Sequence, residues 1–198
     1  GISLSGTPDG NETLTVNPVS SSIYDAEGNV ASTSQSNNTI SLNDQLAPTI
    51  TGVVLASNNA TIAVTFSEAV YNTNSGSGSL EVGDFEFSLN GGNATLSSTT
   101  PSSIDIVGNV YTLGISLSGT PDGSETLTVN PASSSIYDAA GNVASTSQSN
   151  NTHSLFDQLS PTMTISAKDS SDQDLNTGLT TNDLYINLIF TSSESTTN

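Results

Sequence analysis

The sequence lacks cysteine, tryptophan and arginine, and Lys168 is its single lysine. Without cysteine no disulfide can cross-link the protein, and with one lysine intramolecular Lys–Asn isopeptide bonds are nearly excluded. The 19 acidic residues give a formal net charge of −18, which repels phosphate backbones and anionic lipids. No apolar run approaches the ~18 residues of a membrane span. The sequence therefore predicts neither nucleic-acid binding nor membrane insertion of this segment.

The first 51 residues occur twice. The segment 1–51 is repeated at 114–164, an offset of 113 residues, and only seven of the 51 pairs differ. The differing pairs are Asn11/Ser124, Val19/Ala132, Glu27/Ala140, Ile40/His153, Asn43/Phe156, Ala47/Ser160 and Ile50/Met163. A repeat of this length is too long for a solenoid unit and matches the ~100 residues of one sandwich domain. The chain is therefore predicted to come from a tandem array.

Two nearly identical junctions divide the chain. DQLAPT begins at Asp44 and DQLSPT at Asp157, and Pro48 and Pro161 stiffen them. We predict three parts: residues 1–46 are the C-terminal part of one repeat, residues 47–159 a complete repeat, and residues 160–198 the N-terminal part of a further domain of different subtype. Since both outer parts are incomplete, we expect the protein to continue beyond both ends.

Apolar residues alternate with polar ones, which is typical of strands, and no segment has a sustained helical stripe. Turn sequences rich in Gly, Asn, Asp and Pro separate the alternating runs at the spacing of a sandwich. The fold class predicted is all-β, with tandem immunoglobulin-like β-sandwich domains. The predicted strands of the complete repeat are 49–55, 61–66, 84–89, 94–98 with 103–106, 110–117, 125–129 and 142–155. The predicted inward rows are Ile62/Val64/Phe66, Phe85/Phe87/Leu89, Tyr111/Leu113/Ile115/Leu117 and Leu127/Val129, with Leu184/Ile186/Leu188/Phe190 in the third part.

Two stretches resemble a known repeat type. IYDAAGN at 136–142, followed by a polar strand and a D-x-x-x-P junction, resembles the bacterial Ig-like repeats of very large surface adhesins. The stretch 60–92 is similar to repeats in secreted Bacteroidota proteins, including the giant gliding-motility adhesins. The resemblance implies an extracellular location at the bacterial cell surface. It also implies a fibre often stiffened by Ca²⁺, and export or motility machinery of the outer membrane as a partner.

An acidic loop in the third part is one candidate Ca²⁺ site. Asp172, Asp174, Asn176, Gly178, Thr180 and Asp183 occupy positions 1, 3, 5, 7, 9 and 12 of an EF-hand-like spacing. The loop departs from that pattern, because glycine stands at position 7 and aspartate at position 12. An acidic, solvated loop between two strands is the alternative interpretation.

The junctions are the second candidate, because loops at one end of a sandwich cluster in space. At the first junction, Asp25 and Asn29 of the DAEGN turn are expected to approach Asp44, Glu68 and Asp84. At the second, the corresponding set is Asp138, Asn142, Asp157 and Glu194. The first is the better predicted site, since Asn43 is replaced by Phe156 at the second. Alternatively, Asp25 and Asp138 only cap their own turns.

The sequence indicates no catalytic group. His153 stands where the other copy has Ile40, so this strand position accepts either residue, and the many serines have no predicted activating partner. The protein is therefore predicted not to be an enzyme.

Three functions remain open. The repeats act as a spacer or stalk of an adhesin or filament in adhesion or gliding motility, they bind glycans or surfaces themselves, or they form an accessory module of a larger secreted enzyme. The first is preferred, because near-identical copies supply length rather than distinct surfaces.

Overall fold

The computed structural model describes residues 1–175 and 180–195, and within them the protein is all-β. A 3₁₀ turn, Val82–Asp84, is the only helical element among these residues. The strands they contain are β1 Thr13–Thr15, β2 Thr39–Ser41, β3 Ile50–Leu55, β4 Thr61–Phe66, β5 Phe85–Asn90, β6 Thr95–Leu96, β7 Ile104–Val107, β8 Val110–Gly114, β9 Leu117–Ser118, β10 Thr126–Pro131, β11 Thr152–Ser154, β12 Met163–Lys168 and β13 Asn187–Ser192.

Two antiparallel sheets share one hydrophobic core. The first has the order β3-β4-β8-β7 and the second β11-β10-β5, while β6 and β9 form a short pair. The buried core cluster extends from Ile50 to Leu155, and at its centre the Phe66 ring lies 5.6 Å from the Tyr111 ring and 6.3 Å from the Phe85 ring. This arrangement is consistent with a β-sandwich.

The period-two rows predicted for the complete repeat are confirmed. Ile62, Val64, Leu113, Leu127 and Val129 are each 0% exposed. Leu89 and Leu117, at the ends of their rows, are only partly buried and pack against the core. Alternation identified these strands correctly because each sheet buries one face and leaves the other to solvent.

The complete repeat has two distinct ends. At the leading end, where the chain enters β3, Ser67 N–H donates to the Thr49 carbonyl at 2.8 Å, and Tyr71 pairs with Tyr137. At the trailing end, the Asn59 amide group and Phe156 backbone exchange hydrogen bonds of 2.7 and 2.9 Å. The chain therefore enters and leaves the repeat at opposite ends.

The first copy keeps the same local structure without a covering sheet. Leu14 pairs with Ile40 in β1–β2, as Leu127 pairs with His153 in β10–β11. The second copy is additionally paired with β5, which continues that sheet. Val16 is consequently 64% exposed, whereas its equivalent Val129 is fully buried.

One predicted strand is much shorter than expected. Only Thr152–Ser154 of 142–155 is a strand, and polar side chains of the preceding residues bond to backbone groups of β3 and β10. The Ile50 N–H donates to Gln148 Oε1 at 2.9 Å, and Asn151 Nδ2 donates to the Val129 carbonyl at 2.8 Å. These bonds replace a regular ladder.

The chain forms two compact units, 1–157 and 158–198. The second unit contains the antiparallel pair β12–β13, in which Ile165 is opposite Phe190. Leu184 and Ile186 of the predicted inward row precede β13 and are exposed, and Leu188 and Phe190 are exposed within it. The predicted division at 46/47 and 159/160 stays a prediction. In the described part of the chain no helix is long and apolar enough to cross a membrane.

Candidate functional site

Three carboxylates meet where the first copy joins the complete repeat. Asp44, Glu68 and Asp138 each offer one oxygen, and these oxygens all lie within 4.8 Å of one another. Asp44 comes from the linker before Pro48, and Glu68 follows β4 by two residues. Asp138 belongs to the turn whose neighbour Tyr137 pairs with Tyr71. We call these three residues the junction cluster.

The turn that carries Asp138 is held by its own side chain. Asp138 Oδ1 accepts the N–H groups of Ala140 and Asn142, both at 2.8 Å, and its Oδ2 accepts Asn142 Nδ2 at 2.7 Å. Asn142 Nδ2 also lies 3.3 Å from the Asp44 carbonyl oxygen, which links the turn to the linker. Asp138 is fully buried, so its carboxylate has a defined position.

Mutual repulsion shapes the electrostatics of the junction cluster. Burial raises the pKa of Glu68 above its ordinary value, and the negative charges of Asp138, Asp44 and Asp9 raise it further. A cavity of about 240 Å³ adjoins the cluster. Its lining includes Asp9 and Asp44 from the first copy and Ser67 and Glu68 from the complete repeat. The site is therefore built by two successive repeats.

Carboxylate oxygens are the hard ligands that Ca²⁺ prefers, and six to eight oxygens normally surround the ion. The junction cluster supplies three carboxylates that repel one another, and a divalent cation would relieve this repulsion. The cluster could therefore hold a metal ion. Asp44, Glu68 and Asp138 are the residues that would hold it.

The DAEGN turn of the first copy is placed differently from our expectation. Asp25 Oδ1 accepts the N–H groups of Glu27 and Asn29, and Oδ2 accepts Asn29 Nδ2, as in the Asp138 turn. These bonds from Asn29, first from its side chain, lower the pKa of Asp25. Asp25 is exposed and is not part of the junction cluster, in which Asp138 of the following repeat takes the place expected for it.

Sheet topology explains why Asp138, and not Asp25, belongs to the junction cluster. The antiparallel order puts the turn before Asn142 at the leading end of its own repeat, while the chain leaves at the trailing end. At the trailing ends, Asp44 lies over Gly10 and Asp157 over Gly123, each with its Cβ 3.2 Å from the position a glycine Cβ would take. A junction therefore joins trailing-end residues of one repeat to leading-end residues of the next.

The remaining junction candidates have local partners. Asp84 Oδ2 accepts the Glu81 N–H at 2.7 Å at the start of the 3₁₀ turn. Burial, with a smaller contribution from the Glu81 charge, raises the pKa of Asp84. In the second unit, the backbone N–H of Glu194 lies 3.5 Å from Ser192 Oγ, a contact that does not involve the Glu194 carboxylate.

The acidic loop of the second unit lies beside Lys168, the last residue of β12. Lys168 Nζ lies 3.3 Å from Asp172 Oδ1 and 3.9 Å from Asp174 Oδ1. Asp183 Oδ2 accepts the Ser170 N–H at 3.1 Å, which lowers the pKa of Asp183. Asn176 and Gly178 of the predicted ligand set lie outside the described residues. Here the described carboxylates are occupied by Lys168 and by backbone donors.

Sequence reasoning missed Glu125, a fully buried carboxylate. Its Oε1 accepts the N–H groups of Asn93 and Ala94 at 2.9 Å, and its Oε2 accepts those of Asp122 and Gly123 at 3.2 Å. Burial by itself would raise the pKa of Glu125, but these backbone donors outweigh it and lower the pKa. The recurring spacing D-G-x-E, present in both copies, was the available signal.

No protein-family model matches this chain, and no curated protein matches it either. Among solved structures it is similar to the N-terminal part of the bacterial S-layer protein SbsC, with 18% sequence identity and a TM-score of 0.36. The similarity covers 76% of this chain and 42% of that chain, so the match spans less than half of that protein.

Proposed function

We propose that this chain is a structural segment of a large secreted cell-surface adhesin or filament. Its tandem Ig-like β-sandwich repeats act as a spacer or stalk in adhesion or gliding motility, outside the bacterial cell. The observation that carries this proposal is the junction, where the trailing end of one copy meets the leading end of the next. Such end-to-end joining extends a chain by one repeat length for each copy.

The near identity of the copies supports the same role. Seven differences in 51 paired residues leave little scope for separate binding surfaces, whereas a stalk requires only repeated length and a reproducible joint. The high negative charge keeps neighbouring stalks apart in solution. By the resemblance, outer-membrane secretion or motility machinery is the expected partner.

We include Ca²⁺ at the junction cluster in this proposal. Without a cation, three neighbouring carboxylates push the two repeats apart. Coordination would replace that repulsion by attraction and hold the angle between the repeats.

The stalk role is tested with arrays of two, four and eight copies of residues 47–159, a unit that contains the entire described core cluster. Small-angle scattering should give a contour length that rises by a constant increment for each repeat. Binding to glycan arrays and to abiotic surfaces is measured in parallel, and a spacer binds neither. If one complete repeat binds a glycan or a surface as tightly as the eight-copy array, the stalk role is rejected.

A further inference from the structure

The first copy presents an apolar face that its twin buries. Ile2, Val16 and Ile23 are 65%, 64% and 53% exposed, whereas the equivalent Ile115, Val129 and Ile136 are 9%, 0% and 0% exposed. The residues are identical in each pair, so the difference in exposure comes from the residues packed against the second copy. We call the surface formed by Ile2, Val16 and Ile23 the acceptor face.

The acceptor face already has the shape of its buried twin. Asn38 Nδ2 donates to the Val16 carbonyl at 3.0 Å, as Asn151 Nδ2 donates to that of Val129 at 2.8 Å. The Leu42 N–H donates to the Glu12 carbonyl at 2.9 Å, a bond repeated by Leu155 and Glu125 at the same distance. Little rearrangement is needed before a partner can dock.

What covers the twin is visible in the same molecule. β10 pairs with β5 in the register Leu127↔Leu89, Val129↔Phe87 and Pro131↔Phe85. Phe85 and Phe87 are buried in the same core cluster as Val129 and Ile136. Further bonds come from the N–H groups of Asn93 and Ala94 to Glu125. The covering segment therefore extends from the linker to β8, residues 47–113.

We propose that the acceptor face binds a second copy of the segment 47–113, whose Phe85–Asn90 strand pairs with β1. By the register of the twin, Leu89 of that copy lies opposite Leu14, Phe87 opposite Val16 and Phe85 opposite Pro18. Glu12 then receives the N–H groups of Asn93 and Ala94 and becomes a buried carboxylate like Glu125. This inference deepens the proposed tandem architecture and rests on it.

The test adds a second copy of residues 47–113 directly before Gly1 of the full chain, so that Leu113 joins Gly1 as it joins Gly114. Backbone amide exchange at Val16 and Ile23 is then measured with and without the added copy. The expected result is protection of both amides at the level of Val129 and Ile136. Exchange at Val16 and Ile23 that the added copy leaves unchanged would overturn the proposal.

Register provides a second readout, since the protein contains no cysteine of its own. Val16→Cys should form a disulfide with Phe87→Cys of the added copy, and much less with Leu89→Cys, which lies two residues out of register. Equal cross-linking of both pairs would indicate unspecific apolar contact and reject the proposal. Val16→Asp in the extended chain should abolish protection of Ile23 while leaving that of Ile136. Because stalk length and glycan binding are measured separately, failure here leaves the stalk role standing.

Discussion

At the scale of single residues, the duplication provides internal controls for buried charge. Glu125 and Glu12 have the same local sequence, but Glu125 is buried beneath four backbone donors and Glu12 is exposed. Among the described residues, Glu12 receives the Asp9 N–H alone, at 3.2 Å and 3.3 Å from its two oxygens. The stabilising role of the carboxylate thus depends on what covers it.

Glu125→Gln should lower the free energy of unfolding by about 2 kcal/mol, because it removes the charge and turns one acceptor into a donor facing N–H groups. The matched variant Glu12→Gln should change it by less than about 0.5 kcal/mol. Urea unfolding of the full chain measures both. Equal effects of the two variants would contradict the assigned role of Glu125.

Glu68 is expected to reduce stability at neutral pH when no divalent cation is present. Its pKa in the folded protein is raised, so the folded state disfavours the charged form and becomes relatively more stable as the pH falls through that raised pKa. With chelator at pH 7, Glu68→Gln should therefore be more stable than the native chain by about 0.5 kcal/mol, a small value because solvent screens this half-buried group.

The advantage of Glu68→Gln should disappear as the pH falls below the ordinary glutamate range, where the native side chain is protonated as well. Denaturant unfolding at pH 7 and at pH 4 measures the difference. An advantage that stays constant with pH would mean that carboxylate repulsion at the junction is negligible.

At the scale of elements, two strands of the same sequence contribute differently to stability, because they have different neighbours. β10 lies between β5 and β11, whereas β1 pairs with β2 alone. Local hydrogen bonds are sufficient to reproduce the hairpin in both copies, but the buried apolar contacts come from β5 and the sheet opposite. A substitution should therefore have different effects in the two copies.

Ile136→Ala should destabilise the protein by about 3 kcal/mol, since it leaves a cavity in the core beside the Asp138 turn. Ile23→Ala, at the equivalent but exposed position, should cost less than about 0.5 kcal/mol. Thermal and urea unfolding of both variants measure these changes. A large loss of stability for Ile23→Ala would show that the first copy is covered in solution.

The strands of the complete repeat were predictable because their alternation reflects a local geometric rule, namely that neighbouring side chains point to opposite faces. The loop before Thr152 was not, because its hydrogen bonds go to distant partners such as Ile50 and Val129. Alternation also failed as a predictor for Leu184 and Ile186, because the strand begins only at Asn187.

At the scale of the whole molecule, the proposed stalk role depends on the junction cluster. It combines the linker of one repeat with the β4 end and the Asp138 turn of the next. The joint therefore exists only where two repeats are connected in sequence.

Millimolar Ca²⁺ should raise the unfolding midpoint of the chain relative to chelator, because an ion that binds only the folded state stabilises it by mass action. Glu68→Gln should reduce this rise, whereas Glu86→Gln, an exposed strand residue, should leave it unchanged. Differential scanning calorimetry measures all three proteins. An identical midpoint in Ca²⁺ and in chelator would exclude a calcium role for the junction cluster.

The sequence by itself determined the repeat length and the inward rows of the complete repeat, because duplication and period-two patterning are local properties of the chain. Only the tertiary structure decided which acids meet. The antiparallel order puts the Asp138 turn and the departing chain at opposite ends, so Asp138, rather than Asp25, lies beside Asp44 and Glu68. Tertiary structure also decided that Glu125 and Val129 are buried while the equivalent Glu12 and Val16 are exposed, because β5 pairs with β10 and β1 has no such neighbour among the described residues.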